Sequence, residues 1–169
     1  MLKRFGRHWR RAGRANVTVE FALLATFFLL PLTAGSADLV VIISAQGQLN
    51  TALQALYYFG TTNASSAVSS TDAQDIITAI NAGSVYSLSL PATLTSGAAN
   101  PSFTYVCYTT GATSPAFSTP STTNTCTGTQ TAQTYANYKV SVSVSLPFPV
   151  GLKITNPLVM SASGSVQTQ

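Results

Sequence analysis

From Phe21 to Ala37 the chain carries no charged residue, and a basic segment stands directly in front of Glu20. This run constrains everything that follows it. As an α-helix rising 1.5 Å per residue, Glu20 to Ala37 covers about 27 Å, close to the hydrocarbon thickness of a bilayer. One membrane span therefore fits. No other window approaches the ~20 apolar residues that a second helix would need, so the chain beyond about Ala45 is expected on one side of the membrane.

The charge distribution sets the expected direction. Eight Lys and Arg against four Asp and Glu give a formal +4, but Lys3, Arg4, Arg7, Arg10, Arg11 and Arg14 all precede the span. The remainder is slightly acidic. A nucleic-acid surface needs cations spread over a folded face, which this chain does not offer. A basic cluster beside a span instead fits the positive-inside rule: the N-terminus in the cytoplasm and the C-terminal part outside. Phe5 and Trp9 are interleaved with these charges, and Trp9 suits an interfacial position beside anionic headgroups. A cleavable secretory signal is the alternative, because Ala34-Gly35-Ser36-Ala37 supplies small residues after the apolar run.

The continuation favours an anchor. After Asp38 come Leu39-Val40-Val41-Ile42-Ile43, then Leu49, Leu53 and Leu56 at three- and four-residue steps, then Tyr57, Tyr58 and Phe59. That periodicity predicts one long helix from about Asn16 to Phe59, amphipathic beyond the membrane and stopped at Gly60. Pro31, in mid-span, removes a backbone donor and is expected to kink it.

The polar remainder reads as a small α+β domain. Thr61 to Ser70 is a linker, and Thr71 as N-cap with Gln74 as its box partner opens a short helix over Ile76, Ile77 and Ile80. Asp72 and Asp75 are first-turn acids that complement the helix dipole. Period-two patterns predict strands over Ser84 to Leu90, Phe103 to Tyr108, Tyr135 to Leu146 and Leu158 to Val166. The third is the clearest, with Tyr138, Val140, Val142, Val144 and Leu146 on one face and Lys139, Ser141, Ser143 and Ser145 on the other. Cys107 and Cys126 flank a Ser/Thr/Pro-rich loop beyond the membrane, where an oxidising compartment favours a disulfide. Closing such a loop stabilises the fold by roughly 3 kcal/mol. The chain thus divides into a basic tail (1–15), a transmembrane and extended helix (16–60) and an extracytoplasmic α+β domain (61–169).

Catalytic constellations are absent from the sequence. The single histidine is His8, in the basic tail, so no nucleophile–histidine pair can form outside the membrane. Asp72, Asp75 and two bonded cysteines do not make a metal site, and there is no phosphate loop or dinucleotide-binding turn. No cofactor is expected, and no enzymatic activity. Glu20 is the one costly residue: a carboxylate at the entry to an apolar span either marks the lipid boundary or has a partner.

Val17-Thr18-Val19-Glu20-Phe21-Ala22-Leu23-Leu24, followed by a Pro-containing apolar run, resembles the V-E-F-A-L anchor of the TadE-like family, minor pseudopilins of tight-adherence (type IV-like) pilus assembly. The motif covers about a fifth of the chain. The strand Tyr138 to Leu146, the Pro147-Phe148-Pro149 break and the last strand are similar to that family's ending in outline. The resemblance implies a prepilin peptidase cut between Ala15 and Asn16, which puts Glu20 at mature position five. Glu20, with Phe21 beside it, would then pack against a neighbouring subunit and meet its new amine. The family usually has Gly before the cut; here Gly13 is the nearest glycine and would put Glu20 at position seven. The implied partners are the inner membrane, other pilins or pseudopilins, the assembly platform and a prepilin peptidase, with no nucleic acid. The alternative function is a singly anchored periplasmic binding or adhesion module that never enters a pilus.

Overall fold

The computed structural model describes residues 17–65, 68–109, 111, 117–148 and 156–168. Helix α1 spans Val17–Thr62, α2 spans Ser70–Ala82, and the strands are β1 (Leu88–Ser89), β2 (Ser102–Thr109), β3 (Gln130–Val144) and β4 (Leu158–Gln167). One long helix, one short helix and a small antiparallel sheet give the expected α+β fold.

Strand β3 is the hub. β4 pairs along one of its edges from Tyr135 to Val144, while β2 and β1 share the other, at Gln130 to Asn137 and at Ser141 to Val142. On this second edge Lys139 lies in the gap, and the buried Asn100 side chain fills it. Its Oδ1 accepts from Lys139 N–H at 3.1 Å, and its Nδ2 donates to the carbonyls of Lys139 (2.7 Å) and Pro91 (2.8 Å). A carboxamide here substitutes for a peptide unit of a missing strand. The same clasp recurs between Asn81 and the Leu88 backbone, both bonds 2.9 Å, and between Asn156 and the Leu146 backbone, at 3.1 and 3.4 Å.

The alternation of β3 is expressed as read. Tyr138, Val140, Val142 and Val144 are buried in one core with Ala45, Leu49, Ala52, Leu53 and Leu56 of α1, and Leu146, two residues past the end of β3, is buried as well. Two tyrosines and two glycines interlock at the end of this interface. Gly60 of α1 lies against Tyr138, and Gly164 of β4, the cross-strand partner of Tyr138, lies against the Tyr57 ring.

This packing corrects the expected end of the helix. α1 continues past Gly60 to Thr62 and is capped at Asn63, whose N–H bonds Phe59 O at 3.2 Å. Gly60 is fully inside the contact. The start of α2 also differs from expectation. Ser69, not Thr71, is the N-cap, and Asp72, not Gln74, completes the capping box. Adjacent hydroxyls compete for the cap, and the one spaced three residues before a carboxylate prevails. The strand expected over Ser84 to Leu90 pairs only at Leu88–Ser89, because Pro91 has no N–H to continue the ladder and Asn100 takes its place. Val85 is 85% exposed.

The loop between β2 and β3 does more than connect. Tyr105 and Ser121 exchange backbone bonds of 2.7 and 3.0 Å, and Ser118 N–H donates to Cys107 O at 2.9 Å, so the loop covers the free edge of β2. The Cys107–Cys126 disulfide, with Cα atoms 5.4 Å apart, fastens it there. At the opposite end Asp38 Oδ1 accepts from Phe148 N–H at 2.9 Å and ties the domain to the first turn after the uncharged run.

Candidate functional site

The first candidate is the exposed half of α1. Its most apolar 18-residue window has a mean hydropathy of 1.9, yet only 6% of that window is buried. The core helix of a globular domain would be mostly covered, so by length and composition this helix is one that can cross a membrane. Val17, Val19, Phe21, Leu23, Leu24, Phe27 and Phe28 are all exposed. Hydroxyls within the run turn inward to the helix backbone: Thr26 donates to Ala22 O at 2.8 Å and Thr33 to Leu29 O at 3.0 Å. That removes two polar groups from the exposed apolar surface.

Glu20 lies at the head of this surface, exposed, with no hydrogen-bond or ion-pair partner among the described residues. Phe21 beside it is 66% exposed. The processing pair expected at Ala15 and Asn16, together with Phe5, His8 and Trp9 of the basic tail, lies outside the described residues. Around Pro31 the helix does not break. Ala25–Leu29 forms a π-helical turn, closed by Leu30 N–H on Ala25 O. Pro31 cannot donate and its ring crowds the preceding turn, so the wider turn accommodates it while the chain remains helical on both sides.

The described charges beyond the uncharged run do not converge on one site: Asp38 of α1 holds Phe148, Asp72 caps α2 with Asp75 one turn further along it, and Lys139 lies on the sheet. Among the described residues no group of three His, Cys, Asp or Glu is close enough to hold a metal ion. Tyr138 has a buried hydroxyl without a hydrogen-bond partner among the described residues, and burial pushes its pKa up to about 12. This hydroxyl faces Gly60 in the helix–sheet contact and reaches no ligand-accessible surface.

The second candidate is the sheet face turned away from α1. Cross-strand pairs there read Ser89–Ser141–Ser161, Lys139–Ser163 and Ser102–Asn137–Ser165. Ser89 and Ser141 hydroxyls are 2.9 Å apart. A groove crosses this face under the loop that joins β1 to β2. Sequence reading recognised Ser141, Ser143 and Ser145 as a wet face but not the groove. The signal that could have found it is the second run of alternate serines, Ser161, Ser163 and Ser165, which pairing brings alongside the first.

The fold and these two surfaces define a class, an α+β domain built on the far half of a single helix that can cross a membrane. No protein-family model, curated protein or solved structure matches the chain.

Proposed function

We propose that this chain is a TadE-like minor pseudopilin that takes part in assembling a tight-adherence pilus. In this reading the apolar half of α1 lies in the bacterial inner membrane, with the N-terminus cytoplasmic and the α+β domain outside. The chain does no chemistry of its own. A single observation carries the reading: among the described residues Glu20 is a carboxylate without a partner, on an exposed helix surface that is otherwise uncharged from Val17 to Ala37. An isolated acid in that position costs up to about 3 kcal/mol at mid-membrane depth, and a cation from a neighbouring helix offsets it. After a cut between Ala15 and Asn16, the new amine of another subunit would be that cation. Glu20 and Phe21 would then pack against neighbouring pilins on the assembly platform, with a prepilin peptidase acting first.

The test is Glu20→Gln in the native host. The variant should insert and accumulate normally, lose co-purification with the pilus machinery and reduce surface pili. Undiminished assembly would reduce Glu20 to a boundary residue. Mass spectrometry of the mature N-terminus should find Asn16 first, and a chain retaining its basic tail would overturn the pairing. The groove favours a second reading, a singly anchored binding module outside any pilus; that module would show no pilin partners with either side chain at position 20.

A further inference from the structure

The groove on the outer sheet face has a volume of about 430 Å³, within the range of roughly 300–1,000 Å³ that holds small ligands. Asn137 on β3, Thr104 on β2, and Ser163 and Ser165 on β4 line it, with Leu94 and Thr122 as walls from two loops. No charged residue lines it. Asn137 Nδ2 donates to Ser102 O at 3.2 Å and Thr104 Oγ1 at 3.3 Å. That fixes the carboxamide and leaves Oδ1 as an acceptor without a partner among the described residues. Tyr135 stands next along the same face, paired across the sheet with Thr104 and Gln167. Its hydroxyl donates to Gln133 Oε1 at 3.1 Å, which fixes the ring on this face next to the groove-lining Thr104 and just outside the groove itself.

We propose that this groove binds an uncharged oligosaccharide. A sugar ring presents hydroxyls around its rim and C–H groups on its faces. Serine and threonine hydroxyls with a fixed carboxamide match the rim, and an oriented tyrosine ring matches a face. Neutral donors and acceptors make these exchanges without the cost of stripping water from ions. The same lining disfavours other ligands. Nucleic acid needs clustered cations, and among the described residues Lys139, on the same face and paired with Ser163, is the one basic residue. Without a pair of carboxylates across the groove, the sugar is held and not hydrolysed. This inference is independent of the pilus reading, since it concerns the sheet face remote from α1.

The experiment is saturation-transfer NMR on the full chain in lipid nanodiscs prepared without sugar-based detergent. Maltohexaose, cellohexaose and chitohexaose are the neutral probes, hexagalacturonate is the charged one, and empty nanodiscs are the control. At least one neutral hexaose should receive saturation at millimolar concentration. Tyr135→Ala and Asn137→Ala should each weaken it about tenfold, the loss of one stacking or hydrogen-bonding contact. Ser163→Trp, which fills the groove from an exposed position, should abolish the transfer with an unchanged melting temperature, so that lost binding is separated from lost folding. Lys139→Gln should leave the neutral sugar bound within about twofold. Absence of transfer to all three neutral probes overturns the proposal. So does binding confined to hexagalacturonate and lost in Lys139→Gln, or binding indifferent to Ser163→Trp.

Discussion

Gly60 lies so close to Tyr138 that a Cβ at position 60 would stand 3.2 Å from the Tyr138 Oη and 2.7 Å from Val166 Cγ1. Helix α1 is seated on the sheet at a distance set by a missing side chain.

Gly60→Ala should therefore destabilise the domain, although alanine in an exposed helix would be favoured by about 1 kcal/mol. Overpacking costs typically about 1–3 kcal/mol, so after that gain the net loss should be about 1 kcal/mol and at most about 2 kcal/mol. Thermal melts of the full chain in nanodiscs measure it. Adding Val166→Ala should recover part of the loss, because it removes the nearer obstacle; strictly additive effects would mean that the contact is not the cause.

Tyr138 should make stability fall at high pH. Its hydroxyl titrates near 10.0 when the chain is unfolded and at about 12 in the fold. The neutral form is thus favoured by folding, and its contribution is complete below pH 10 and lost as pH rises through 12. At full deprotonation that loss is roughly 2–3 kcal/mol. Tyr138→Phe should flatten this part of the pH profile. It should also raise stability at pH 7 by about 1 kcal/mol, since it deletes a buried group without a partner. Parallel alkaline denaturation curves for the two proteins would refute the assignment.

Asn100→Ala should be among the most damaging changes of a single small side chain. It removes the clasp on both backbone groups of Lys139, and each buried backbone group left unpaired costs about 1–3 kcal/mol. A loss of roughly 2–4 kcal/mol is expected in urea unfolding, with faster amide exchange at Lys139. Unchanged exchange there would show that water replaces the carboxamide.

Replacing Cys107 by Ala and Cys126 by Ser should release the cover from the β2 edge. The closed loop spans a sequence separation of 19 residues, for which the chain-entropy estimate is about 3 kcal/mol. Limited proteolysis of the folded variant should cut between Phe117 and Gln130, where the wild type resists. Equal resistance would mean that the Tyr105–Ser121 pairing holds the loop unaided.

Much of this fold is legible in the sequence because burial imposes periods on it. Tyr138 to Leu146 alternates because one face meets α1, and Leu49, Leu53 and Leu56 recur because they cover that face. The thiols are legible as a pair for a different reason, since no third cysteine competes. Gly60 is misread as a stop because the reason for a glycine there is Tyr138, a residue far along the chain that local pattern does not reach. The Asn100 clasp is invisible for the same reason. Its partner at Lys139 is a backbone group, which carries no residue identity to read. The groove depends on register, and register becomes known only once β4 is laid against β3.

The helix that carries the uncharged run is also the helix clamped to the sheet, with no loop between them. If its apolar half crosses a bilayer as proposed, the helix acts as a lever whose pivot is the span. From Ala37 to Thr62 the helix measures about 39 Å, so a tilt of about 10° within a bilayer would swing its far end by roughly 7 Å, and the sheet with it. In that anchored state the bearing of the serine-lined face relative to the membrane plane would be fixed by how the span leans. Neighbouring helices or bilayer thickness could steer that face without any change inside the domain.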